Sequence, residues 1–230
     1  MRKFSKMALS LIPETLLSSV SRERCLNNIK ALPIFLKDDD KKQKAAVLIP
    51  LCVHNGDVCL LYTLRSIHLN SHSGQVSFPG GKRDKNETVR ETALRETEEE
   101  INFPPKNVDI WAEMPILQGR NRDIIVSPVV GVLRNFDMTK LQANPSEVAE
   151  IFTVPISVLC DPKNHAHVMY KDTMIPIFIS NDKIIWGITG MITHLFLQCL
   201  LPSENYVVNF ISFILIIMNK LINWHQPHLN

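Results

Sequence analysis

The stretch FPGGKRDKNETVRETALRETEEEINF, Phe78 to Phe103, decides how the chain is read. Its first part is turn-forming around Gly80-Gly81. From Glu87 to Phe103 it consists of good helix formers with no Gly or Pro, which predicts a helix that Pro104-Pro105 stops. Inside that helix, RETEEEI (Arg95 to Ile101) places Glu96, Glu98, Glu99 and Glu100 close together. At about 100° per residue, Glu96, Glu99 and Glu100 share an arc of roughly 100°, and Glu98 points about 150° away from its centre. Leu94, Thr97 and Ile101 form the side able to pack on a sheet, and Ala93 allows a close approach. Arg90 and Arg95 lie within i,i+3 or i,i+4 reach of neighbouring acids.

An exposed helix tolerates such a cluster, since like charges at i,i+4 cost only a few tenths of a kcal/mol. Under partial cover the balance changes: charges about 6 Å apart repel by about 3 kcal/mol at an effective dielectric of about 20. A covered cluster therefore needs a divalent ion, and hard carboxylate oxygens suit Mg²⁺ or Mn²⁺. The helix alone leaves a solvated acidic face and a cation site both open.

Outward from this helix, the 230 residues are 45% hydrophobic and 21% charged, a globular composition that affords a sizeable core. A net charge of +2 with no dense Lys/Arg stripe argues against nucleic acid as the main partner. Cys25, Cys52, Cys59, Cys160 and Cys199 show no metal-ligand spacing, which disfavours zinc and a disulfide framework. AAVLIPLCVHNGDVCLLYTLRS reads as two strands joined at Asn55-Gly56, a strong hairpin signal that sets Cys52 opposite Cys59. VDIWAEMPIL and DIIVSPVVGVL read as strands around a polar loop, Gln118 to Asp123, which its polarity alone suggests as a cover over a site. NPSEVAEIFTVPISVL begins as a turn followed by a short helix or strand, and a late helix starts near Thr189. Helices early and late with strands between them imply an α+β fold, an αβα sandwich around a mixed sheet.

Three regions follow. Residues 1–40 form an N-terminal extension rich in Arg, Lys and Ser, which suits a mitochondrial transit segment or an untargeted, loosely ordered end. The charged spacer Leu36 to Lys44 marks the start of a domain over 41–205. Residues 206–230 are an apolar tail whose run from Phe210 to Met218 falls short of the roughly 20 residues of a membrane span. A packed or interfacial helix is expected there, with no integral membrane span. The final His228-Leu229-Asn230 is not a Ser-Lys-Leu peroxisomal address.

The spacing across the opening stretch resembles the Nudix box: a glycine, five residues, a glutamate, seven residues, then Arg-Glu-U-x-Glu-Glu-x-Gly-U with U aliphatic. Here these positions are Gly81, Glu87 and Arg95 to Phe103. Thr97 departs at an aliphatic position, and Asn102 replaces the second glycine at a place where Asn tolerates left-handed backbone. The resemblance implies the Nudix αβα sandwich with its loop–helix–loop. It implies Glu96, Glu99 and Glu100 as Mg²⁺ or Mn²⁺ ligands, with the Gly81 carbonyl as a further one. Glu87 and Arg95 would pair to hold loop and helix in register, and Glu98 would be a solvated bystander.

A second resemblance precedes the box. LLYTLRSIHLNSHSGQVSFPGG, Leu60 to Gly81, is similar to the signature of the coenzyme A diphosphatase branch, matching at Leu61, Thr63, Arg65, Ser66, Gly74 and Phe78 to Gly81. Asn70 stands where that pattern has arginine, with His68 and His72 nearby. The resemblance implies Arg65, Ser66, Gly74 and Gly80 as substrate-binding residues. A guanidinium fork suits diphosphate oxygens, and glycine amides can approach them. Phe78 and Pro79 are read as packing. The segment from Asn144 to Ile156 resembles a downstream family element, in which Glu147 is a ligand or general base; Glu96 and Glu100 share the candidacy for base. Glu150 is read as a helix-surface acid, and Trp186 and His194 as core. The implied reaction is metal-dependent hydrolysis of coenzyme A or acyl-CoA to 3′,5′-ADP and (acyl-)4′-phosphopantetheine, in mitochondria or alternatively in peroxisome or cytosol. The other readings are a Nudix hydrolase of ADP-ribose or a nucleotide sugar, and a silent CoA- or nucleotide-binding module.

Overall fold

Two strands joined at Asn55-Gly56 form the spine of the fold. β1 (Gln43–His54) and β2 (Asp57–Arg65) pair antiparallel, with Cys52 opposite Cys59 and both thiols free. Asn55 and Gly56 take φ of 51° and 86°, the left-handed pair that a two-residue turn between twisted strands requires. This computed structural model describes residues 11–67, 73–119, 124–170 and 173–206.

β1 divides its pairing. Its first half meets β4 (Gly80–Lys82), with Ala46 opposite Gly81. Along its other edge it runs parallel to β7 (Ile124–Leu133), from Gln43 opposite Ile124 to Leu51 opposite Val132. β5 (Val108–Glu113) and β6 (Leu117–Gln118) lie antiparallel to β7, while β3 (Val76–Ser77) and β8 (Val148–Pro155) lie antiparallel to β2. The result is one mixed eight-stranded sheet. A separate three-stranded sheet holds β9 (His165–Tyr170), β10 (Thr173–Ser180) and β11 (Lys183–Ile185).

Alternation along the strands builds two apolar layers. Leu51, Leu60, Tyr62 and Val130 face α1 (Pro13–Leu16), α2 (Ser19–Ala31), α4 (Ile156–Cys160) and α5 (Gly187–Leu200). Ala46, Leu48, Cys59, Leu61 and Val129 face the opposite way, onto Ala93 and Ile101 of α3 (Val89–Ile101). Helices cover both faces, which makes an αβα sandwich.

Several local expectations change. The N-terminal segment supplies Leu16, Cys25 and Ile29 to the main core, and Arg24 donates to the Leu200 carbonyl at 2.9 Å. Residues 148–155 are strand, so Glu150 sits on β8 and binds Lys183 at 2.7 Å instead of lying on a helix. Trp186, expected in the core, is 40% exposed because it occupies the N-cap of α5, where the chain turns outward into Gly187. His194 is half-buried, its Nδ1 3.0 Å from the Tyr206 hydroxyl. The expectations for residues 1–10, for His68, Asn70 and His72, for most of the loop from Gln118 to Asp123, and for the tail beyond Tyr206 lie outside the described residues. Among the described residues no helix is long and apolar enough to cross a membrane.

Candidate active site

α3 carries the site, and its ends set its position. At the start, the Thr88 hydroxyl accepts from the Glu91 amide at 3.2 Å and the Glu91 carboxylate accepts from the Thr88 amide at 2.8 Å. This capping box satisfies two of the amides that a helix start leaves open. At the other end Asn102 takes φ 56°, ψ 37°, filling the usual glycine position at little cost. Between them Ala93, Thr97 and Ile101, at i, i+4 and i+8, lie buried against the sheet. Burying Ile101 is worth about 2 kcal/mol. Thr97 occupies this dry face by donating its hydroxyl to the Ala93 carbonyl at 2.6 Å, so no polar atom is left unpaired.

That seating sorts the glutamates. Glu100, next to Ile101, goes under and is 1% exposed. Glu96, one turn earlier, keeps 12% of its side chain exposed. Glu98 and Glu99 face outward, and Glu99 binds Arg95 at 3.0 Å. The third member of the cluster is Glu147, brought in by a loop tied to the end of α3. The Gln142 and Asn144 amides donate to the carbonyls of Ile101 and Glu100 at 3.1 and 2.9 Å, and the Ser66 amide donates to the Glu147 carbonyl at 2.8 Å. One oxygen from each of Glu96, Glu100 and Glu147 then lies within 4.8 Å of the others.

The electrostatics of this trio are costly without a cation. Burial pushes the Glu100 carboxyl up to about 8; the Arg65 charge opposes the rise, Glu96 and Glu147 add to it, and a hydrogen bond from the Gly80 amide lowers it somewhat. Burial also raises Glu96, against the hydrogen bond and charge of Arg95. Glu100 Oε2 is buried and has no hydrogen-bond partner among the described residues. An unpaired buried acceptor costs about 1–3 kcal/mol, more if charged. A divalent cation would relieve both penalties, and a set of hard oxygens fits Mg²⁺ or Mn²⁺. The Gly-Gly turn is wedged between the trio and β1. A Cβ on Gly81 would overlap the Glu96 carboxylate, and one on Gly80 would overlap the Ala46 carbonyl.

Arg95 braces loop to helix. It donates to both Glu87 oxygens, at 2.6 and 3.0 Å, to the Lys82 carbonyl at 3.1 Å and to Glu96 at 2.9 Å. This two-toothed pairing holds Glu87 well below the usual carboxylate range, at about 2. The Thr92 hydroxyl joins it at 2.9 Å from Glu87. Neither Thr92 nor the Lys82 carbonyl stands out in the sequence; the Thr88-x-x-Glu91 capping pattern is the one local signal that could have placed this turn of helix.

Arg65 arrives from the end of β2, where the register against β8 slips after Leu64. Such an irregularity re-aims a side chain, and Arg65 Nη1 stands 3.9 Å from Glu100 Oε1. Ser66 is buried beside it. One glycine amide is placed differently from expectation. Gly74, at φ 67°, donates to the Arg65 carbonyl at 3.1 Å. It is engaged inside the protein instead of being held open for phosphate, because the turn it forms closes on itself. Phe78 is buried and stacked on Tyr62 with ring centroids 4.7 Å apart, a packing role.

A braced Gly–Glu loop leading into a helix with a convergent acidic trio, on this sandwich, is a site able to hold a divalent cation beside an anionic substrate. The model of the NUDIX domain matches residues 42–174, and the chain belongs to the Nudix hydrolase family. It is a pyrophosphohydrolase, of a family that generally uses divalent cations such as Mg²⁺ or Mn²⁺. Nudix hydrolase 3 of Caenorhabditis elegans is 34% identical over 206 residues, covering 80% of this chain and 86% of that protein. The Mus musculus protein named mitochondrial coenzyme A diphosphatase NUDT8 is 34% identical over 194 residues, covering 81% and 91%. The Mus musculus peroxisomal coenzyme A diphosphatase NUDT7 is 39% identical over 122 residues, covering 52% and 50%.

Proposed function

We propose that this enzyme hydrolyses the diphosphate of coenzyme A or its thioesters, releasing 3′,5′-ADP and (acyl-)4′-phosphopantetheine. The observation that carries the reading is that Arg65-Ser66, from the segment similar to the coenzyme A branch, abuts Glu100 and Glu147. Similarity over four-fifths of the chain to a protein named as a coenzyme A diphosphatase supports the same substrate. Glu96, Glu100 and Glu147 would hold Mg²⁺ or Mn²⁺, with the Gly81 carbonyl and Glu99 as additional candidates. When bound, the cation offsets the diphosphate charge and lowers the pKa of the attacking water.

The chain's own residues do the rest. Glu147 accepts the proton of the water: it makes no ion pair among the described residues, whereas Glu96 is engaged by Arg95 and Glu100, the most buried of the three, is committed to the cation. The Arg65 fork donates to diphosphate oxygens. Glu87 and Arg95 keep the Gly81 loop against α3, and Ser66 fixes the main chain that presents Glu147. The test is a panel of coenzyme A, acetyl-CoA, ADP-ribose and a nucleotide sugar with Mg²⁺ or Mn²⁺. Release of 3′,5′-ADP from the first two is expected; cleavage of ADP-ribose alone would overturn the substrate and leave the chemistry standing. Asn70, which replaces a cationic residue of the branch pattern, favours the second reading, another nucleoside diphosphate derivative.

For location we propose the mitochondrion, from the basic, serine-containing N-terminus and the relatives named as organellar. A removable leader must end before Leu16, which is fully buried in the core. Imaging of the tagged full chain tests this, and a peroxisomal or cytosolic signal would contradict it.

A further inference from the structure

We infer that Arg65 serves two anions in turn, Glu100 before the cation arrives and the substrate diphosphate afterwards, and so couples cation loading to diphosphate binding. This rests on the reading of the trio as a cation-dependent diphosphate site and not on coenzyme A being the substrate.

Two guanidinium groups border the trio, and their bonding differs. Arg95 is saturated, with close contacts to Glu87, Glu96, Glu99 and the Lys82 carbonyl. Among the described residues Arg65 makes one ion pair, at 3.9 Å from Glu100, outside hydrogen-bond range. Its Nε is buried without an acceptor among the described residues, and Glu100 Oε2 is buried without a donor. A pair built for structure alone would close to about 2.8 Å in two-toothed geometry, as Arg95 and Glu87 do in the same site.

The backbone of Arg65, by contrast, is pinned. Its amide donates to the Gln75 carbonyl at 3.0 Å, its carbonyl accepts from Gly74 at 3.1 Å, and the irregularity against β8 fixes its direction. A fixed base with an unsaturated fork leaves donors available to a second anion. The side chain is also only 23% exposed, so its charge acts on Glu100 with little screening by solvent. A dication at Glu100 would replace the guanidinium as counter-charge and repel it. The released fork would then face the oxygens of a diphosphate drawn in by the same cation. The two equilibria therefore respond to Arg65 with opposite signs: its charge weakens binding of the cation alone and strengthens binding of the diphosphate.

The experiment titrates Mn²⁺ alone into the full chain, following free Mn²⁺ by electron paramagnetic resonance. Imidodiphosphate, a diphosphate that is not hydrolysed, is then titrated at saturating Mn²⁺. The Arg65→Gln variant is expected to bind Mn²⁺ about tenfold tighter and imidodiphosphate about tenfold more weakly than the parent. Arg65→Lys, which keeps the charge and loses the fork, should retain parental Mn²⁺ affinity while binding imidodiphosphate more weakly. If Arg65→Gln weakens both ligands together, or binds Mn²⁺ no tighter, Arg65 is a structural support and the proposal is wrong. If that variant does not fold, the lysine variant decides alone: a parallel loss of Mn²⁺ affinity overturns the coupling. Neither measurement involves coenzyme A, so a failed substrate panel leaves this result interpretable.

Discussion

Replacing Gly81 by alanine adds one methyl group where the Glu96 carboxylate rests on the main chain. The new Cβ would overlap the carboxylate carbon and both of its oxygens. Gly81 does not adopt left-handed backbone, so alanine meets no conformational penalty and the collision is the whole effect. Strand β4 cannot retreat easily, because Ala45 to Val47 pair with it along its length. The Glu96 side chain yields instead and must withdraw by about 1 Å to reach ordinary contact, against the pull of Arg95 on its Oε1 at 2.9 Å. Displacement of a catalytic group by that amount can cost about 100-fold in rate. Global stability should change by less than about 1 kcal/mol, since Glu96 lies at the margin of the core and can swing outward. Mn²⁺ titration, steady-state rates on the best substrate and thermal melting should be measured together. Parental Mn²⁺ affinity and turnover in Gly81→Ala would refute the reasoning, as would a loss of activity accounted for by a collapse in melting temperature.

Other expectations follow from the charges. Glu100 has a raised folded-state pKa, so its carboxyl is tolerated below the ordinary value of 4.5 and becomes destabilising as pH rises from there to about 8. In EDTA the melting temperature should fall across that window, Mn²⁺ should restore it, and Glu100→Gln should abolish both effects; a flat profile for the parent would contradict the burial argument. Glu99→Gln, which loses an exposed contact to Arg95, should lower turnover less than Glu100→Gln by at least about tenfold; equal losses would place Glu99 among the essential ligands. His194 is held down to about 4, first by burial and then by the charge of His165, so its contribution is complete above 6.5 and disappears as pH falls toward 4. Glutamine there should flatten the acid limb of the stability profile, by on the order of 1–2 kcal/mol after allowance for partial exposure. An unchanged acid limb in His194→Gln would mean that the group titrates freely in the folded state.

What the sequence discloses and what it conceals follow a physical division. The hairpin at Asn55-Gly56, the helix of α3, its stop at Asn102 and the pairing of Glu87 with Arg95 depend on neighbours within a turn or a short loop, and spacing reveals them. The angular position of Glu98 is equally local. Glu99 falls in the same arc as Glu96 and Glu100, yet it turns to Arg95 because Ile101 and Thr97 decide which side of α3 goes under. The meeting of Arg65 with Glu100 joins residues 35 positions apart and depends on a strand irregularity that has no residue signature. Helix α2 is similarly concealed: its buried stripe is only Ser21, Cys25 and Ile29, too short and too polar to announce itself in a basic segment. Trp186 is outside because a chain turn needs the N-cap there, although size and apolarity alone send tryptophan inward.

The most direct measurement is the initial rate of 3′,5′-ADP release from coenzyme A in the presence of Mg²⁺ or Mn²⁺, for the parent beside Glu147→Gln. The proposed function predicts cation-dependent release of 3′,5′-ADP with 4′-phosphopantetheine in equal amounts, and a rate at least about 100-fold lower in the variant. Intact coenzyme A under both metals, or equal rates for the two proteins, would contradict it.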